Sequence, residues 1–354
     1  EKQFKQQSPG QQRLVKFFLS LSESYILAKR IADNLSLENL NPPAGERLLA
    51  RLQSLLLAPF HALGERLVYQ KIRAATGGKL KAVISGGGSL AMYLEDFYEI
   101  VGVPILVGYG LTETSPVTNA RTLQHNLRGS SGKPIPATEI RIVDPDTGQV
   151  LSPGERGLVL IRGPQVMQGY YKKPEATAKV IDTEGWFNTG DLGWVTPMGD
   201  LILTGRAKDT IVLTNGENIE PQPIEDACVR SPYISQIMLV GQDQKSLGAL
   251  IVPNLETLQQ WAQAQNLDLH FPENAASLTA DSDLYQSVVQ ELFRRELTKE
   301  VKNRPGYRPD DQIKVFRFIV EPFSQENGMM TQTLKIKRPV VTERYRAMID
   351  EMFR

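Results

Sequence analysis

Residues 80–110, LKAVISGGGSLAMYLEDFYEIVGVPILVGYG, carry the reading that decides the fold. Two short apolar runs, 80–84 and 105–107, have the length of buried strands, and between them Leu90, Leu94, Phe97 and Val101 recur at helical spacing. Gly102 then closes the helix, because glycine takes the left-handed backbone at a helix end without steric penalty. Strand, helix and strand in that order predict a βαβ unit with parallel strands. Each strand runs at its carboxyl end into a glycine-bearing loop, Gly86-Gly87-Gly88 and Gly108-Tyr109-Gly110, the place where open α/β sheets hold ligands.

Upstream, residues 14–73 are patterned as two or three helices, with apolar residues at Leu48, Leu52, Leu55 and Leu56 and the breaker Asn41-Pro42-Pro43. Downstream, between about 130 and 205, short strands (139–143, 157–161, 201–204) alternate with Pro, Gly and Asp turns, which predicts a small β-barrel or sandwich. After Lys208 strands at 237–240 and 249–252 mix with helices near 284–301 and from Arg338, an α+β texture expected of a separate domain. The fold expected is therefore α/β. A parallel-sheet part of a large domain (1–125) precedes a β-barrel subdomain (126–205) and a small α+β domain (206–354).

The 354 residues are enough for two domains with their own cores. Forty basic and forty acidic residues cancel, so the overall charge favours neither a nucleic-acid partner nor an anionic surface, and any phosphate affinity must be local. A single cysteine, Cys228, excludes an internal disulfide or a cysteine-built zinc site and suits a reducing cytoplasm. No apolar run is long enough to cross a bilayer, and residues 1–8 lack the order of a signal peptide. The opening is polar and Gln-rich with no initiating methionine, so the chain is expected to be the carboxyl-terminal part of something longer.

Chemistry is concentrated in a few segments. Tyr109-Gly110-Leu111-Thr112-Glu113-Thr114 leaves a strand with hydroxyls and a carboxylate, a set suited to a nucleotide phosphate and its Mg²⁺. Alone, six such residues are an ordinary polar turn. Likewise Asp191 in Thr-Gly-Asp caps a turn as readily as it binds a ligand, and Arg206 with Lys208 reads by default as a solvated pair. Trp186 and Phe187 read as core, and Cys228 as a small buried apolar residue.

The order of the motifs changes those odds. Gly185-Trp186-Phe187-Asn188-Thr189-Gly190-Asp191 is followed by Gly205-Arg206-Ala207-Lys208-Asp209, by Asn215-Gly216-Glu217-Asn218-Ile219-Glu220-Pro221, and by Thr331-Gln332-Thr333-Leu334-Lys335-Ile336-Lys337-Arg338. From about Val83 to Arg338 the chain resembles the adenylate-forming superfamily of acyl-CoA synthetases, peptide-synthetase adenylation domains and firefly luciferases. The resemblance implies that Gly86, Gly87 and Gly88 line adenine and Tyr109 stacks on its other face. It implies that Gly110, Thr112 and Glu113 meet ATP and its Mg²⁺, with Glu113 as metal ligand, and that Asp191 takes both ribose hydroxyls beside Arg206. Lys208 falls at the hinge of the small domain, and Gly216 and Glu217 in the loop lining the thiol tunnel. The resemblance further implies that Lys335 bridges the attacking carboxylate and the α-phosphate, lowering the repulsion of two anions most in the transition state. If 334–338 is extended, Lys337 points the same way, and only alignment with the family's terminal lysine motif selects Lys335.

The family's phosphate loop, rich in Ser, Thr and Gly and ending in Lys, has no counterpart in residues 1–76. The expectation is a chain that begins downstream of it, the other reading being a shortened relative. The helical insertion with Phe17-Phe18-Leu19 and Leu55-Leu56-Leu57, and Thr-Gln-Thr-Leu-Lys before the last helix, resemble the long-chain fatty acid branch. That implies a fatty acid activated with ATP and Mg²⁺ and passed to CoA or a holo-acyl carrier protein, with lean toward the carrier protein, in the cytoplasm or peripherally at a membrane. Two other classes stay open: a non-catalytic nucleotide-binding module, and another adenylating enzyme such as an oxygenase or a peptide-synthetase domain.

Overall fold

The computed structural model describes residues 8–88, 90, 92–272, 278, 279 and 281–354; of the opening read above, 1–7 lie outside the described residues. The chain forms two compact units, one of residues 1–189 and 193–203, the other of residues 190–192 and 204–354.

In the first unit, α1 (Pro9–Ala32) is started by Ser8, whose hydroxyl accepts the Gln11 N–H while the Gln11 side chain accepts that of Ser8. α2 (Ala44–Gly64) passes through one π-turn (Glu65–Tyr69) into α3 (Gln70–Ala74). The fully buried Tyr69 joins α1 to this arm by donating to the Phe18 carbonyl at 2.7 Å and the Ser22 hydroxyl at 2.6 Å. The leucine spacing predicts this helix but not its packed face. Leu48, Leu52, Leu55 and Leu56 are all exposed, Leu56 by 73%, while Ala50, Gly64, Val68 and Tyr69 are buried. Small residues allow close approach to α1, so the side with the bulk is the uncovered one. No described helix is long and apolar enough to span a membrane.

The βαβ unit is present as β1 (Val83–Ser85), α4 (Met92–Ile100) and β2 (Ile105–Gly110), with Val83 opposite Ile105 in a parallel pair. Two antiparallel strands, β3 (Val117–Ala120) and β4 (Lys133–Pro134), extend it in the order β1-β2-β3-β4, so the sheet is mixed rather than parallel throughout. Helix α4 also buries a charge that the apolar pattern did not disclose. Glu95 is 3% exposed and meets Arg121, whose Nε donates to the Ser130 carbonyl at 2.6 Å.

The β-rich segment folds as β5 (Glu139–Val143), β6 (Gly157–Arg162), then after a short helix α5 (Pro174–Ala178), β7 (Phe187–Val195) and β8 (Leu201–Arg206). These strands lie in the order β5-β6-β7-β8 with β5 and β8 at the edges, so the expected barrel is an open sheet. Four strands leave too little circumference to close around a packed interior. Trp186 and Phe187 are buried, as predicted, and the guanidinium groups of Arg141 and Arg162 lie over the Trp186 ring, 4.0 and 4.6 Å from its centre.

In the second unit, the short strands β9 (Ile211–Val212) and β10 (Asn218–Ile219) form a hairpin leading into α6 (Pro221–Cys228). A three-stranded sheet of β11 (Ile234–Val240), β12 (Leu247–Pro253) and β13 (Ile313–Phe318) runs antiparallel then parallel in that order. Every residue of β12 is buried, because the sheet is covered on both faces. Leu239, Ala249, Ile251 and Phe318 pack on one face with α7 (Leu255–Ala264) and α8 (Ser287–Lys302). Met238, Val240, Leu250 and Val252 pack on the other with Val341 of α9 (Arg338–Arg344) and Met352 of α10 (Arg346–Met352). Cys228 is fully buried and its thiol is pushed up to about 12, chiefly by burial.

Candidate functional site

In the first unit the candidate residues lie where β1 and β2 end. Gly86, Gly87 and Gly88 form an exposed loop after β1; Gly87 holds φ +82°, and Gly87 and Gly88 have open space where a side chain would project. Gly86 is confined, since a Cβ there would sit 3.3 Å from the Gly108 carbonyl oxygen. The Tyr109 side chain is 9% exposed and packed with Ile142, Val159, Ile161 and Leu201, so much of its ring is already occupied by core.

A bulge between Tyr109 and Gly110 shifts the pairing of β2 with β3. Gly110 then approaches the returning chain so closely that a Cβ would fall 1.8 Å from the Pro116 oxygen. That contact closes a tight loop, in which the Pro116 carbonyl accepts both the Leu111 N–H at 3.0 Å and the Thr114 hydroxyl proton at 2.5 Å. Thr112 and Glu113 ride on the 3₁₀ turn Thr112–Thr114 inside it, Thr112 exposed and Glu113 half-buried. The Glu113 carbonyl accepts the Met167 N–H at 2.8 Å, and its Oε1 accepts the Tyr170 hydroxyl at 2.9 Å. That hydrogen bond, with burial second, holds the Tyr170 phenol above its ordinary range. Local pattern could not identify Tyr170, which is 57 residues away in sequence. Glu113 is suited to Mg²⁺ of the kind held by one carboxylate and substrate phosphates; no cluster of three or more acidic, His or Cys ligands occurs among the described residues.

A cavity of about 570 Å³ lies elsewhere in this unit, lined by Tyr25, Lys29, His61, Leu123, His125 and Met198, and contains none of the motif residues.

In the second unit, Asp191 and Arg206 are brought together. From Phe187 to Trp194 strand β7 alternates between buried and part-exposed residues, which puts Asp191 on the inward side with Phe187 and Thr189 and leaves it 8% exposed. Its Oδ1 is 2.7 Å from Arg206 Nε at the end of β8. Lys208 is exposed in the 3₁₀ turn Ala207–Asp209 that follows. Gly216 and Glu217 form the exposed turn of the β9–β10 hairpin; Gly216 holds φ +85°, and Glu217 lies 3.4 Å from Arg308, which also donates to the Asn218 carbonyl at 3.0 Å.

Lys335 stands exposed at the end of a locked turn. Thr331 N–H donates to the Lys335 carbonyl at 2.8 Å, and Lys335 N–H donates to the Thr331 hydroxyl at 3.1 Å. Among the described residues no carboxylate is within ion-pair distance of its ammonium group. The segment 334–338 is not extended throughout. Leu334 has φ +59°, Ile336 bridges Met330, and Arg338 begins α9, so period-two spacing does not govern the two lysines.

The family described as AMP-binding enzyme matches residues 39–171, and that described as AMP-binding enzyme C-terminal domain matches 208–289. A chloroplastic long-chain-fatty-acid–(acyl-carrier-protein) ligase of Arabidopsis thaliana is 42% identical over 369 residues, 100% of this chain and 47% of that protein. A long-chain-fatty-acid–CoA ligase of Mycobacterium bovis is 35% identical over 299 residues, 84% of this chain and 46% of that protein. The adenylation domain of a carboxylate reductase from Mycobacterium chelonae, a crystal structure, superposes with a TM-score of 0.63 at 23% identity over 94% of this chain and 45% of that one. The chain thus spans about half the length of the curated relatives it matches.

Proposed function

This chain belongs to the AMP-binding enzyme family, and on that premise we propose that it serves the ATP-dependent activation of a long-chain fatty acid and transfer of the acyl group to a phosphopantetheine thiol. The observation that carries the reading is Lys335, an exposed ammonium without an ion-pair partner among the described residues, at the end of a turn fixed by two hydrogen bonds. A cation so presented lowers the repulsion between a carboxylate and the α-phosphate it attacks. Asp191, held by Arg206, is the carboxylate this reading assigns to the ribose hydroxyls, and the open backbone at Gly87 and Gly88 admits a flat base. Thr112 and Glu113 are the residues this reading assigns to the phosphates, where Glu113 would hold Mg²⁺; the ion offsets phosphate charge when bound. Tyr170 orients the Glu113 carboxylate.

The acceptor favoured is a holo-acyl carrier protein. The relative named for that acceptor matches all of this chain, and the one named for CoA matches less of it at lower identity. The cytoplasm, with peripheral contact to a membrane that supplies the acid, is the setting this reading takes.

The test is Lys335→Ala in the full-length protein, with the half-reactions measured separately. Acid-dependent pyrophosphate exchange is expected to be abolished, while thioester formation from supplied acyl-adenylate persists. Equal loss of both steps, or exchange at the parent rate, would reject the assignment. Parallel assays with CoA and holo-acyl carrier protein decide the acceptor, and nucleotide binding without exchange in the parent would favour a non-catalytic module.

A further inference from the structure

We propose that Glu225 is a positioning residue for Lys335, acting through Arg338; this rests on the reading of Lys335 given above. Glu225 lies on α6 with its side chain 7% exposed. It makes contacts in two directions. Both its carboxylate oxygens are 2.5 Å from Arg338 Nη2, and Oε1 also accepts the Leu239 N–H at 2.6 Å. Arg338 Nη1 completes the arrangement by donating to the Leu239 carbonyl at 3.1 Å. The guanidinium and carboxylate thus fasten each other to one residue near the end of β11.

Arg338 is the first residue of α9, three positions after Lys335. The intervening residues are held on their upstream side by the Met330–Ile336 bridge and by Lys337 N–H donating to the Met329 carbonyl at 2.8 Å. On the downstream side Val341 packs on the sheet, and Arg338 with Glu225 supplies the polar attachment nearest the lysine. A lysine on a long flexible stem, exposed and without an ion-pair partner among the described residues, has its reach set by where its backbone is anchored. A displacement of about 1 Å of a reacting group costs on the order of a hundredfold in rate. The geometry therefore makes the Glu225–Arg338 pair the support that fixes the origin of the Lys335 side chain.

Glu225→Gln tests this selectively. The amide oxygen can still accept the Leu239 N–H, so α6 stays tied to β11, while Arg338 loses its charged partner. In full-length protein we expect kcat for acid-dependent pyrophosphate exchange to fall by roughly ten- to a hundredfold with KM for ATP and acid little changed. Thioester formation from supplied acyl-adenylate should stay near the parent rate. Glu225→Asp should recover part of the loss, and Arg338→Lys, which keeps the charge but not the planar fork, should reproduce it. Combined with Lys335→Ala, Glu225→Gln should produce no further loss of exchange, because both act on one step through one group. A folded Glu225→Gln protein that exchanges at the parent rate, or loses both half-reactions in proportion to its folded fraction, overturns the proposal. If Glu225→Gln does not fold, Arg338→Lys carries the same decision. Loss of exchange in Lys335→Ala with normal exchange in Glu225→Gln rejects the clasp alone; normal exchange in Lys335→Ala rejects the role of Lys335 itself and the clasp with it.

Discussion

Gly110→Ala is expected to damage the protein out of proportion to one added methyl. The new Cβ would lie 1.8 Å from the Pro116 oxygen, 2.6 Å from its carbonyl carbon and 2.9 Å from the Val117 Cα. All three are backbone atoms, so no rotamer relieves the clash, and the chains must part by roughly 1.5 Å to restore ordinary contact. That opens the hydrogen bonds accepted by Pro116 from Leu111 and Thr114 and disturbs the Gly110–Val117 pairing. Overpacking costs about 1 to 3 kcal/mol and each lost hydrogen bond about 0.5 to 1.5, so a destabilisation of about 3 kcal/mol is expected. For a unit of about 200 residues this lowers Tm by roughly 6 to 12 °C. Thermal unfolding followed by near-UV circular dichroism measures it, with Gly88→Ala, which adds a methyl into open space, as a control expected to stay near the parent. Because Thr112 and Glu113 sit on the displaced loop, the KM for MgATP should rise as well. A Gly110→Ala protein with the parent Tm would refute the close approach on which the loop geometry rests.

Asp191→Ala should raise the KM for ATP about ten- to a hundredfold with less effect on that for fatty acid, through ribose hydroxyls left unpaired; superimposed ATP titrations of variant and parent would make Asp191 only a partner of Arg206. Lys208→Pro fixes φ at a turn the resemblance assigns to the hinge, so pyrophosphate exchange should survive while thioester formation collapses, and Lys208→Ala should change little; a folded proline variant with normal thioester formation contradicts the hinge. Burial holds the His61 imidazole below its ordinary 6.5, stacked on Tyr25 at 4.6 Å. The unfolded chain therefore binds the proton more readily, and this contribution to stability is present above about pH 6.5 and lost as pH falls. Urea unfolding between pH 7.5 and 5 should show a steeper loss in the parent than in His61→Gln, and equal slopes would count against it.

The amino-acid sequence alone disclosed the strongly patterned elements and the chemistry available, but not the short strands such as β3, β4, β9 and β10. Strand and helix periodicity around residues 80–110 is local, and the βαβ unit follows from it because a crossover of that length admits one pairing. Likewise a carboxylate in Thr-Gly-Asp and a lysine near the carboxyl end are properties of the chain, legible without coordinates. What the tertiary structure decided is which groups meet, because contact across many residues of separation leaves no mark in a local pattern. It closed no barrel from four strands, turned the leucine face of α2 outward, and buried Glu95 against Arg121 where the helix spacing gave only apolar positions. It also paired Asp191 with Arg206, gave Glu113 a phenol from 57 residues away and tied the lysine segment to Glu225 across 113 residues. Periodicity assigns a side chain to a face of its own element, whereas its partner is set by how two faces pack, which depends on the volumes and charges of both.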